Sequence, residues 1–87
     1  MKTETFSMSM TNNEALHWIA KLFEQPSDKI SEGTPRDAIP LWDSLGVLTL
    51  MAEMDEKFGV LLTDQEMRSM EKVGDILEVL RKNGKLN

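Results

Sequence analysis

Cysteine is missing from this chain. That absence removes disulfides, thiolate metal sites and a cysteine nucleophile from consideration. Histidine occurs once, at His17, so no imidazole cluster can hold a metal. Long apolar runs are lacking as well, and no stretch approaches the ~20 residues of a membrane span. Met1 to Met10 holds one lysine and no apolar h-region, so it does not read as a secretory signal. The expectation is a cytoplasmic protein. Positive charge is outweighed: 10 Lys and Arg against 15 Asp and Glu leave a net charge of −5. Nucleic-acid phosphates demand a basic face, so the balance argues against that partner class and favours basic protein partners. No repeat, low-complexity tract or strand signal interrupts the pattern.

What remains is one small helical domain. A chain of 87 residues buries only about 60–65% of its unfolded surface, a modest core that needs no staples. Thr11-Asn12-Asn13-Glu14 has capping-box spacing, so a first helix starts there, with Thr11 as N-cap. Its inner stripe is Leu16, Ile19, Ala20 and Phe23, widened by Ala15, Trp18 and Leu22, and Gln25-Pro26-Ser27-Asp28 ends it. His17 falls on the outer face beside Glu14 and Lys21 and is given no role. Residues 26–42 form a long connection with Pro26, Gly33, Pro35 and Pro40. A loop longer than ~12–15 residues in so small a domain is either functional or internally packed. Ile30, Ile39 and Leu41 are its expected anchors, and Trp42 should pin its end to the bundle.

A second helix is expected from Asp43 to Phe58. Asp43 suits the N-cap and the positive end of the helix dipole, and Gly59 suits the left-handed stop. A capping box at Thr63-Asp64-Gln65-Glu66 opens a short third helix that buries Met67 and Met70. A last helix turns Val73, Ile76, Leu77 and Leu80 inward and ends at Asn83-Gly84. The fold class is therefore all-α, with three substantial helices, one short one and a long first loop. The folded domain spans residues 11–83, between tails at 1–10 and 84–87.

The second helix carries two apolar stripes. Val47, Leu50, Met51, Met54 and Phe58 form the stripe expected to face the core. Leu45, Leu48 and Ala52 form a narrower patch on the side of Ser44, flanked by Asp55 and Glu56, with Glu53 round the side. A small apolar centre with an acidic rim suits docking to basic grooves, although solvated surface charge is the plainer alternative. Ser44 is the one side chain positioned for chemistry. A serine nucleophile needs a general base and an orienting third group. The single histidine sits on another helix, and no Gly-x-Ser-x-Gly elbow exists. The chain is not expected to be an enzyme, and a hydroxyl without a base must be acted upon by something else.

Asp43-Ser44-Leu45, followed by a helix ending at Phe58-Gly59-Val60, resembles the attachment site and second helix of the acyl carrier proteins. The resemblance covers roughly residues 12–83. It implies a four-helix bundle whose serine, here Ser44, receives 4′-phosphopantetheine from coenzyme A through a Mg²⁺-using phosphopantetheinyl transferase. The arm would then hold acyl intermediates as thioesters, in fatty-acid, polyketide or related specialised biosynthesis. By resemblance, Asp43, Leu45, Leu48, Ala52, Asp55 and Glu56 would meet that transferase and the ligase and synthase enzymes that load and use the cargo. The expectation is a monomer without a catalytic or metal site of its own. The chain differs from the commonest fatty-acid type. Gly46, Thr49 and Leu61 replace acids, Lys72 replaces a small hydroxyl cap, and Trp42 precedes the motif. Trp42 before the motif and Gly46 after it are more like specialised carriers, D-alanyl carriers among them. An aminoacyl or D-alanyl carrier and an unmodified interaction module are the alternatives.

Overall fold

A computed structural model describes residues 10–86. The expected N-terminal tail thus lies outside the described residues, except for Met10. Four α-helices follow in order: α1 (Asn12–Leu22), α2 (Ser44–Phe58), α3 (Asp64–Ser69) and α4 (Val73–Lys82). Two 3₁₀ turns, Ser27–Lys29 and Arg36–Ala38, lie in the connection between α1 and α2. The described residues form no strand, only two isolated bridges, Met10 with Leu86 and Pro35 with Lys72. The all-α expectation holds.

Local chemistry sets the helix ends. At α1, Thr11 Oγ1 accepts from the Glu14 N–H (3.1 Å) and Glu14 Oε1 accepts from the Thr11 N–H (2.9 Å), the reciprocal box that satisfies two otherwise orphaned donors. The α3 start repeats it with Thr63 and Glu66. At α4, Lys72 provides no side-chain cap. Asp75 Oδ2 instead accepts from the Glu71 and Lys72 N–H groups at 2.8 and 3.2 Å. The α2 stop uses Gly59 at φ 67°, and the Val60 N–H reaches back to the Met54 carbonyl at 3.1 Å. The Gly59 N–H donates to the Asp55 carbonyl at 2.8 Å, the five-to-one closure of a left-handed glycine stop. The α1 stop places Glu24 in the same left-handed region, at φ 56°.

The core sits between α1, α2 and α4, with the loops folded over it. Ile19 and Phe23 of the α1 end, Leu50 and Met54 of α2, Met67 of α3, and Val73, Ile76, Leu77 and Leu80 of α4 are fully or almost fully buried. Met70 is buried too, so the short helix packs as its spacing implies. Val47, Met51 and Phe58 complete the inner stripe of α2 in half-buried positions. Trp18 meets Phe58 edge to face, with ring centroids 5.2 Å apart, a preferred geometry that ties α1 to the far end of α2.

The long connection is clasped rather than loose. The Arg36 N–H donates to the Glu71 carbonyl (2.8 Å), the Val73 N–H to Thr34 (2.9 Å), and the Gly74 N–H to Glu32 (2.8 Å). Ile30 and Ile39 are buried as anchors. Leu41, expected to be a third, is 42% exposed. Its backbone explains this correction: the Leu41 carbonyl is pressed against α2 at Gly46, where an added Cβ would collide with it, so the side chain turns outward. Trp42 anchors the segment instead, buried and stacked on Phe23 at 5.3 Å. At the C-terminal side, Leu86 is buried and the Met10 N–H bonds the Lys85 carbonyl. Residues 84–86, read from the sequence as a tail, therefore return to the bundle.

Candidate functional site at the start of α2

Ser44 is the first residue of α2 and is exposed. Asp43, immediately before it, directs its Oδ1 to the Gly46 N–H at 3.0 Å, so the carboxylate is engaged as the helix cap. The Ser44 hydroxyl has no hydrogen-bond partner among the described residues. His17 is exposed on α1, and no group that could act as a base is bonded to the serine. The hydroxyl is thus accessible but not activated from within. The described residues also hold no cluster of His, Asp and Glu able to bind a metal.

Two hollows flank this helix start. The first, about 300 Å³, contains Ser44 with Val47 and Leu48 of α2 and Met67 of α3. Arg36 enters it from the long loop, and Asp64 and Arg68 enter from α3. The second, about 220 Å³, contains Asp43, Leu45, Gly46 and Thr49, facing Leu22, Glu24 and Leu41. The expected docking patch is thereby divided. Leu48 shares a hollow with Ser44, whereas Leu45 belongs with Asp43 on the other side. Ala52, Asp55 and Glu56 are exposed further along α2 and line neither.

The exposed apolar surface gathers around the same helix. Leu45 is 72% exposed and Leu48 62%, an unusual concentration for large aliphatic side chains in so small a domain. Leu61 joins them at 78%. It stands between buried Val60 and Leu62 in the link from α2 to α3. From Ser44 to Ala52 the chain carries no charge. Its acids, Glu53, Asp55 and Glu56, lie in the second half of α2.

Sequence reasoning missed the two arginines of the serine hollow. Arg36 is half-buried, with its guanidinium 5.5 Å from the Trp42 ring centroid and its Nε donating to the Trp42 carbonyl at 3.4 Å. No periodicity marks a residue in an irregular loop, so its approach to Ser44 is visible only once the clasp to α4 is formed. Arg68 is four residues from Asp64 on α3, and that exposed pair is 3.4 Å apart. The i,i+4 spacing was legible; the orientation of α3 towards Ser44 was not.

No family model matches the chain. Among curated proteins it is similar to the meromycolate extension acyl carrier protein of Mycobacterium leprae, 26% identical over 80 residues, covering 86% of this chain and 69% of that protein. The protein of the same name from Mycobacterium tuberculosis H37Rv matches with the same identity and coverage. That of Mycolicibacterium smegmatis is 25% identical, covering 86% of this chain and 80% of its own. The alignments embrace nearly the whole described bundle, so likeness in sequence and an all-helical fold coincide over one stretch. By sequence, this chain is similar to acyl carrier proteins.

Proposed function

We propose that this protein is a specialised acyl carrier whose 4′-phosphopantetheine arm is bonded to Ser44. The observation that carries the reading is the hydroxyl itself, exposed in the first turn of α2, free of internal partners, on the rim of a largely apolar hollow. The donor set suits the arm: an alcohol to accept it, arginines near its phosphate, and Val47, Leu48 and Met67 beside its path. When bound, the arm supplies the thiol that carries acyl groups as thioesters. The chain's own work is to present the oxygen, cap the helix through Asp43 and offer a surface to visiting enzymes. It catalyses nothing, as the character of its relatives also supports.

Recognition is assigned to the exposed leucines near Ser44, together with Asp55 and Glu56. Those two acids lie in the last turn of α2, the negative end of the helix dipole, where they are mildly unfavourable. Neither side chain has an ion pair or hydrogen bond among the described residues. Their position is better explained by an external basic partner than by stability. The transferase, the loading ligase and the synthases are the proposed visitors. The carrier itself acts as a monomer in the cytoplasm. The described residues contain no helix long and apolar enough to cross a membrane.

Incubation with coenzyme A, Mg²⁺ and a broad-specificity phosphopantetheinyl transferase, read by intact mass, tests the site. The expected result is one arm per chain in the native protein and none in Ser44→Ala. A folded native protein that stays unmodified would favour the interaction module, and a mass increase that survives Ser44→Ala would place the arm elsewhere. The names of the relatives favour acyl cargo. The uncharged first half of α2 and Trp42 keep an aminoacyl or D-alanyl cargo as the second reading. Loading of the armed protein by an acyl ligase but not by an amino-acid ligase separates them.

A further inference from the structure

The chain has three arginines, and they are not equivalent. Arg68 pairs with Asp64 and Arg81 with Glu78. Arg36 has no carboxylate partner among the described residues, although it is half-buried and lines the hollow that contains Ser44. A cation withdrawn from water without a counter-ion is unfavourable, so such groups are normally paired. Its position is also fixed. The face of Trp42 and the Trp42 carbonyl hold the guanidinium from within, and Trp42 is itself locked by stacking on Phe23. The guanidinium and the two rings stack in sequence next to Asp43, the residue that caps Ser44's helix.

We propose that Arg36 is the built-in counter-ion of the phosphodiester that joins the arm to Ser44, with Arg68 closing on the same group from α3. This rests on the carrier reading above. A phosphodiester carries one negative charge at neutral pH and presents two free oxygens, the geometry that a planar guanidinium matches with paired N–H bonds. Arg36 is already ordered by Trp42, so little side-chain entropy is lost when the phosphate arrives. Arg68 must leave Asp64, and that exchange is easy: both partners are largely exposed, 82% and 78%, in a pair that contributes little by itself. Asp64 is the one acid in the hollow; its charge opposes the phosphate, a cost that the two arginines must outweigh. Arming therefore changes the fold's electrostatics by filling a counter-ion position that the unarmed chain leaves open.

The test compares unarmed and armed protein, with loading verified first by intact mass. At low salt, arming should raise the melting temperature of the native protein by about 4 °C. Arg36→Gln is expected to lower both forms, because Trp42 packing suffers, and to reduce the gain on arming to about 1 °C or less. Arg36→Lys should keep part of the gain, and about 1 M salt should suppress it. On the native chain, the Arg36 Nε–H NMR resonance should shift and exchange more slowly after arming, while that of Arg81 stays in place. An equal gain in Arg36→Gln, no gain in the native protein, or an unmoved Arg36 resonance would overturn the proposal. Those outcomes leave the arm on Ser44 intact. Failure to load at all removes the carrier reading and this one together.

Discussion

The first turns of α2 and α3 answer one need in different ways. At α3, Thr63 and Glu66 exchange bonds: Thr63 Oγ1 accepts from the Glu66 N–H at 3.1 Å, and Glu66 Oε1 accepts from the Thr63 N–H at 2.9 Å. At α2, Asp43 accepts from Gly46, but Gly46 has no side chain to return the bond. The place where Glu66 stands in α3 is taken in α2 by the loop, whose Leu41 carbonyl lies against Gly46 and whose path brings Trp42 into the core. A closed box secures a helix locally. The open start of α2 gives up that local closure so that loop and helix can meet, and Ser44 is left on the rim.

The comparison is broken most severely at Gly46. Gly46→Ala improves intrinsic helix propensity by about 1 kcal/mol, yet its Cβ would collide with the Leu41 carbonyl and crowd Phe23 at 3.3 Å. Backbone cannot move aside as a flexible side chain can, so overpacking prevails. A net loss of about 2 kcal/mol is expected, seen as a fall of roughly 8–16 °C in melting temperature. An unchanged melting temperature would mean that the loop end is free to shift.

Cap removal is the next test in size. Thr63→Ala opens the α3 box and should cost about 1 kcal/mol without affecting arm transfer. Asp43→Ala should cost about as much and also slow transfer, because it loosens the turn that presents Ser44. Asp43→Asn separates the two roles of that side chain. It keeps the cap, so stability should hold within ~0.5 kcal/mol, and any remaining slowing of transfer measures recognition of the charge. Equal transfer rates in Asp43→Asn and the native chain would confine Asp43 to capping.

The smallest stability effects belong to the exposed leucines. Leu45→Ser and Leu48→Ser should each change unfolding free energy by less than about 0.5 kcal/mol, since both side chains already face water. Their functional effects should differ. Leu48 shares the hollow of Ser44 and Leu45 does not, so transferase kinetics should suffer more from Leu48→Ser. The reverse order would show that the visiting enzyme approaches from the side of Asp43 and Leu41.

Most of the helical framework was readable without coordinates, because its causes are local. Thr11 and Thr63 declare capping boxes through residues three positions on. Gly59 declares a stop through its own backbone freedom. The α4 stripe repeats at the period that buries Val73, Ile76, Leu77 and Leu80 together. Ser44 was legible for the same reason: a cap, a hydroxyl and a helix follow one another directly in the chain.

What the sequence determined by itself, then, was which segments are helical, which faces are apolar, and that one serine without a neighbouring base opens α2. Only the tertiary structure decided the course of the long loop, since its clasp joins Glu32, Thr34 and Arg36 to residues about forty positions away through backbone groups that every residue possesses. It likewise decided that Leu41 faces outward, that Gly46 is needed for a close approach, that Leu45 and Leu48 fall into separate hollows, and that Arg36 lines the hollow of Ser44. Periodicity encodes contacts within a turn or two. Contacts between distant segments depend on how the whole bundle closes, and no local spacing records them.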